Sequence, residues 1–227
     1  MPPTYPTSEV YERHLPHQIP EGFPIFITCN LKGAIPQEVR DRFLREREQL
    51  EREPLRPKET PHARRTRHSK ILFAMTDGYL DGQKTGPLHL SESDVAKLVH
   101  DAILFGVPER YKLFAYCVMP NHIHLLLTPV WKYRKLMQGL KGYVAFAVNK
   151  LQQQRDRVFW QDESYDHWPR DEAEFFRIIA YIENNPVAAG LCSRPEDWPW
   201  SSASKRSVWP LGEPLSADMA LMLRIPL

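Results

Sequence analysis

The sequence predicts an α+β fold on three observations. Segments of period-two apolar pattern and segments of helical period both occur, they alternate along the chain, and two of the strand segments are joined by so short a link that they pair antiparallel. At 227 residues the chain is long enough for one sizeable core with terminal arms and short for two full domains. Hydrophobic residues at 42% and aromatics at 11% exclude wholesale disorder. Lys and Arg number 30 against 28 Asp and Glu, a net charge of +2, so any basic surface has to be local.

Residues 1–20 are polar and punctuated by proline, which predicts an arm. FPIFITCNL (23–31) is aromatic and β-branched and predicts the first strand. QEVRDRFLREREQLERE follows Pro36 and sets Val39, Phe43, Leu44 and Leu50 at helical spacing among mixed charges, the pattern of a solvated helix. Within residues 53–70, the string PLRPKETPHARRTRHSK holds three prolines and no apolar period, so a loop is expected. Six Lys and Arg against Glu59 make it basic. Arg64, Arg65, Arg67 and Lys70 could lie along a phosphate backbone, or the segment could be a solvated insertion.

ILFAMTD (71–77) predicts a short strand. SESDVAKLVHDAILFG (91–106) predicts a helix: Ser91 with Asp94 as a capping box, Val95, Leu98, Val99, Ala102 and Ile103 as its apolar stripe, and Gly106 as its stop. RYKLFAYCVM (110–119) and HIHLLLTPV (122–130), separated by Pro120 and Asn121, form the hairpin. Residues 131–154 predict a basic, aromatic-bearing helix with an interruption near Gly139 and Gly142. DEAEFFRIIAYIENN (171–185) carries a second capping box, Asp171 with Glu174, and is expected to close at Pro186. The tail over 204–227 ends in apolar residues.

Cys29, Cys117 and Cys192 are odd in number and lack any CxxC spacing, which supports neither a disulfide framework nor a zinc knuckle and fits a reducing compartment. No apolar run approaches the roughly 18 residues of a membrane span, and the first residues lack the apolar stretch of a signal peptide. A cytoplasmic protein with no membrane association is expected.

In HIHLLLT, strand alternation puts His122, His124 and Leu126 on one face and Ile123, Leu125 and Leu127 on the other. The two imidazoles are then neighbours able to converge on a divalent ion, or simply exposed histidines. On the 171–185 helix, Phe175, Ile178, Ile179 and Ile182 share the core face, and Glu174, Arg177, Tyr181 and Asn185 share another. Lys132, Arg134, Lys135 and Lys141 are interleaved with Trp131 and Tyr133. That mixture suits phosphate neutralisation and base stacking, and equally an ordinary helix with its lysines outward.

MPNHIHLLL, FWQDESYDHW, YIENNPVAAGL and EDWPWSSA, in this order, resemble the REP-associated tyrosine transposases, relatives of the small insertion-sequence transposases within the HUH superfamily of single-strand endonucleases. The resemblance spans about residues 14–203. It implies a ferredoxin-like core of HUH endonuclease type: an antiparallel sheet with helices packed on one face, the histidines on a central strand, and the tyrosine helix alongside. It implies one such domain over 21–203, between an arm at 1–20 and the tail. His122 and His124 are the implied metal pair, Tyr181 the implied nucleophile, and Asn185 the implied third ligand. Because the backbone before a proline disfavours the helix, Asn184 stands as its alternative.

Two imidazoles and an amide bring no negative charge, so a bound Mg²⁺ or Mn²⁺ keeps its charge for a phosphate. Cleavage and rejoining of single-stranded DNA at hairpin elements through a 5′-phosphotyrosine is the implied activity, by a monomer or weak homodimer. A phenol titrates near pH 10, so its attack needs help from the metal or from Arg177, the latter inferred from helical spacing. A domesticated, non-catalytic DNA-binding protein on the same fold is the alternative.

Overall fold

The structure, a computed structural model, describes residues 7–12, 16–20, 22–82, 86–162 and 164–206, with side chains described from residue 22 onward except that of His62. The expected tail lies outside these residues from 207 on. The expected arm contains a pair of antiparallel strands, β1 (Thr7–Glu12) and β2 (Pro16–Pro20).

The core is a four-stranded antiparallel sheet in the order β4-β5-β3-β6, made by β3 (Ile25–Asn30), β4 (Tyr111–Val118), β5 (His122–Pro129) and β6 (Tyr165–His167). With α3 (Ser93–Phe105) between β3 and β4, and α4 (Tyr133–Leu151) between β5 and β6, the chain runs β-α-β-β-α-β, the ferredoxin-like arrangement. Strand β5 is internal, so both its edges are bonded, to β4 and to β3.

Alternation along the strands divides the interior in two. Ile25, Ile27 and Cys29 of β3 with Ile123, Leu125 and Leu127 of β5 meet Val95, Val99 and Ile103 of α3 and Leu136, Leu140 and Val144 of α4. On the other face Phe26 and Leu126 meet Phe175, Ile178, Ile179 and Ile182 of α5 (Glu172–Ala188). A bulge between Leu113 and Ala115 of β4 turns Phe114 to this second face, where its ring stands edge-on to Phe175 at 5.1 Å. The helices behind the sheet and the tyrosine helix alongside are therefore as expected, and each apolar trio faces its own layer.

Several local expectations are corrected. Residues 53–70 are not a loop throughout, and 71–77 is not a strand. After α1 (Gln37–Arg52), a single helix α2 runs Pro61–Asp81. Thr60 caps it, accepting from the Ala63 N–H at 3.1 Å, and Pro61 occupies the first turn, where its missing N–H costs nothing. Helix α3 starts from Glu92 without a side-chain cap, because Ser91 is taken up in a 3₁₀ turn and donates to the Leu88 carbonyl. Helix α4 is unbroken at Gly139 and Gly142. Both glycines lie on its exposed side, and the buried row through Leu136, Leu140, Val144 and Val148 holds it.

Helix α5 also continues past its expected stop. Pro186 is inside it, and the helix closes in a Schellman arrangement: Gly190 adopts φ +71°, its N–H bonds Val187 O at 3.0 Å, and Leu191 N–H bonds Pro186 O at 2.8 Å. At Gly106 the constraint is different. A Cβ there would overlap the ring of Tyr111, whose hydroxyl bonds the Ile103 carbonyl, so the last turn of α3 can seat against β4 only over a glycine.

Candidate metal centre and nucleophile

His122 and His124 point from β5 into the layer beneath α5 and α2, and both are fully buried. The exposed alternative is thereby corrected: helices cover the sheet on this side too. Asn121 Nδ2 donates to the Leu80 carbonyl at 2.9 Å, which turns its Oδ1 to His122 Nδ1 at 2.6 Å. That oxygen only accepts, so Nδ1 of His122 carries the proton and Nε2 is left with its lone pair. His124 Nδ1 is held by the Thr28 hydroxyl at 2.9 Å, across the Thr28–His124 pair of β3 and β5. The two Nε2 atoms stand 3.0 Å apart. Burial pushes the His122 imidazole down to about 3, and burial together with its neighbour holds His124 well below the usual range. Both rings are neutral near pH 7, the state in which imidazole binds a metal.

Helix α2 brings two carboxylates to this pair. Asp77 Oδ1 lies 3.4 Å from His124 Nε2, and Asp81 Oδ1 lies 3.6 Å from His122 Nε2. Asp77, His122 and His124 each offer a ligand atom within 4.8 Å of the others. Burial, reinforced by Asp81, pushes Asp77 up to about 8. Burial also raises Asp81 to about 6, with the Asn185 amide acting the other way. Asp77 Oδ1, Asp81 Oδ1, both amide atoms of Asn185 and the Tyr181 hydroxyl are buried without a hydrogen-bond partner in the protein. Buried polar atoms are costly when unsatisfied, and a divalent cation among carboxylates and imidazoles resolves that cost. The donor set fits such an ion.

Tyr181 projects from α5 onto this centre. Its ring lies 5.7 Å from that of His124, 6.0 Å from Phe26 and 6.0 Å from Phe73 of α2. Asn185, one turn later, is buried, and Asn184 is exposed. The fit of α5 through Pro186 is what keeps Asn185 on the inner face. Arg177 lies on the outer side, 65% exposed and 3.8 Å from Asp171. It does not touch the phenol, although both line a groove of about 800 Å³ with Asn184 and Arg206.

Glu174, placed by helical spacing beside Arg177 and Tyr181, is buried instead. It pairs with Lys70 of α2 and Arg170, and His167 of β6 lies 3.4 Å away. Asp171 caps α5 as expected, accepting from Glu174 N–H at 2.6 Å, while Glu174 returns its bond to the Arg170 N–H.

The remaining candidates are scattered. Arg67 is engaged by Glu59 and Glu53, Arg64 bonds the Glu53 carbonyl, and Arg65 is exposed. Tyr133 is buried in the core and is unavailable for base stacking. Lys141 bonds the carbonyls of Gln161 and Asp162. Trp131, Lys132, Arg134 and Lys135 are exposed at the start of α4, with Lys135 and Arg110 both about 5 Å from the Trp131 ring. Asp77 and Asp81 are absent from the sequence reading, since a strand over 71–77 hid their spacing of one helical turn.

Residues 105–185 match the family described as "Transposase IS200 like", a span that contains both histidines, Tyr181 and Asn185. Over that span the chain is similar to the IS200-like transposases. A Haemophilus influenzae protein described as a REP-associated tyrosine transposase is 30% identical over 104 residues, which cover 40% of this chain and 58% of that relative's length. The structure of a REP-associated tyrosine transposase bound to a REP hairpin superposes with a TM-score of 0.50 at 15% identity, covering 91% of each chain. At that identity the likeness shows the fold, which is shared with these transposases.

Proposed function

We propose that this chain is a metal-dependent single-strand DNA transposase that cleaves and rejoins DNA at hairpin elements through Tyr181. The observation that supports the reading is the gathering of one phenol, two neutral imidazoles and two carboxylates, each with an oxygen that lacks a hydrogen-bond partner, in a single site on a fold shared with a REP-associated tyrosine transposase. His122, His124 and Asp77 hold the ion, with Asn185 beside them. When bound, the ion supplies positive charge that polarises the scissile phosphate and favours an ionised phenol.

The chain's own residues do the rest. Asn121 and Thr28 fix the imidazoles, each through Nδ1. Tyr181 attacks the phosphorus, its Oη–H proton is lost, the 3′ oxygen leaves as a hydroxyl, and the 5′ end stays as a phosphotyrosine. That ester keeps the energy of the broken linkage, so a 3′-hydroxyl can attack it and rejoin the strand. Residues 21–203 form the catalytic unit, with α1 and α2 as an insertion between β3 and α3. Hairpin DNA, the ligand of the solved relative, is the substrate class, with Mn²⁺ or Mg²⁺ as cofactor. Among the described residues no helix is long and apolar enough to cross a membrane, and the reading is of a cytoplasmic protein acting as a monomer or weak homodimer.

The test is to incubate the chain with Mn²⁺ and hairpin oligonucleotides labelled at the 3′ end, so that the label stays downstream of the cut. A denaturing gel should show labelled protein with wild type and none with Tyr181→Phe. Hairpin binding without any adduct, under every divalent ion tried, would instead establish the non-catalytic DNA-binding protein.

A further inference from the structure

Helix α2 meets the histidine pair twice, one turn apart. The separations are 3.4 Å from Asp77 to His124, 3.0 Å between the imidazoles and 3.6 Å from His122 to Asp81. The two carboxylate separations are too long for hydrogen bonds. They do suit neighbouring donors on a common ion: with metal bonds of about 2.1 Å, adjacent ligand atoms lie roughly 3.0 Å apart in an octahedron and roughly 3.4 Å apart in a tetrahedron. Asp81 Oδ1 is buried without a partner. A second observation points the same way. Asn185, only 2% exposed, stands beside Asp81 on the opposite helix with both amide atoms unpartnered.

We infer that Asp81 is a further protein ligand of the divalent ion, so that the centre is built from two imidazoles and two carboxylates and α2 supplies all of its negative charge. This rests on the metal-dependent reading above. Its chemistry departs from that of an uncharged ligand set. Two carboxylates balance a divalent cation, and two imidazole nitrogens suit Mn²⁺, Co²⁺ or Zn²⁺ better than Mg²⁺, which demands oxygen and keeps its waters. Both acidic ligands come from one helix, and so the ion ties that helix to β5.

The experiment uses the full chain and no DNA. Calorimetric titration with Mn²⁺ compares wild type, His122→Ala and Asp81→Asn, and the visible spectrum of each Co²⁺ complex reports ligand number and geometry. Circular dichroism establishes that each variant is folded. The isosteric amide keeps the volume of Asp81 and an oxygen toward Asn185, and Asp81→Ser serves as a second variant. The expected result is an Asp81→Asn affinity weaker by at least about tenfold, with an altered Co²⁺ spectrum, and no measurable binding by His122→Ala. Wild-type affinity and an unchanged spectrum for folded Asp81→Asn or Asp81→Ser would overturn the inference and leave the histidine centre standing. Failure of wild type itself to bind Mn²⁺ or Co²⁺ would overturn both.

Discussion

The hydroxyl of Thr28 lies 2.9 Å from Nδ1 of His124, joining two residues that sit directly opposite on β3 and β5. The strand register thus sets the rotation of an imidazole in the candidate metal centre. Thr28→Val keeps shape and strand propensity while removing the partner. The expected outcome is a Mn²⁺ affinity lower by about tenfold with little change in melting temperature, measured by calorimetry and circular dichroism.

Asp77 predicts a pH dependence for the metal-free protein. Its folded-state value, raised to about 8 by burial and by Asp81, exceeds that of the unfolded chain, near 3.9. The folded state therefore binds the extra proton, and stability is lost as pH rises between those values. Held in chelator, Asp77→Asn should be more stable than wild type at pH 8, by on the order of 2 kcal/mol, and the difference should vanish near pH 4. The depressed histidines act in the opposite sense but are common to both proteins, so the difference in melting curves isolates Asp77.

Glu174 predicts the reverse sign. Burial alone would raise its carboxyl, but the neighbouring His167, Arg170 and Lys70 outweigh that and hold it well below the carboxylate range. Its stabilisation is present above the unfolded value of about 4.3 and is lost as pH falls below it. Glu174→Gln should destabilise the fold by about 2–3 kcal/mol at pH 7 and by less at pH 3. Chemical denaturation at the two pH values checks this.

Phe73 covers Tyr181, the proposed nucleophile. Its ring lies 6.0 Å from Tyr181, 5.3 Å from Phe26 and 4.4 Å from Tyr165. Phe73→Ala should cost roughly 1–3 kcal/mol, less than a fully buried phenylalanine because the site is half-buried. It should also speed nitration of Tyr181, read by peptide mapping, and equal rates in the two proteins would refute the covering role.

Much of this arrangement is legible in the sequence, and the reasons are local. Alternation in HIHLLLT places the histidines opposite Ile123, Leu125 and Leu127, because those three must be buried whatever the tertiary context. Helical spacing likewise carries Tyr181 and Asn185 to one side of α5. What the sequence conceals is decided by packing. Pro61 reads as a breaker when it opens α2, and Pro186 reads as a stop although the Gly190 turn closes the helix later. With α2 divided into a loop and a strand, Asp77 and Asp81 have no visible relation to each other or to the histidines. The burial of Glu174 follows from Lys70 and His167, residues distant in the chain that no periodicity connects.

Helices α1 and α2 enter the fold as an insertion between β3 and α3, and such a segment can in principle be exchanged without rethreading the sheet. Here the exchange would not be neutral. The strands and α5 contribute nitrogen donors, an amide and the phenol, whereas Asp77 and Asp81 arrive with the insertion. On the ligand set proposed above, a chimera carrying a different segment here would inherit that segment's ionic preference along with its shape, which places the choice of metal in the graft rather than in the scaffold that receives it.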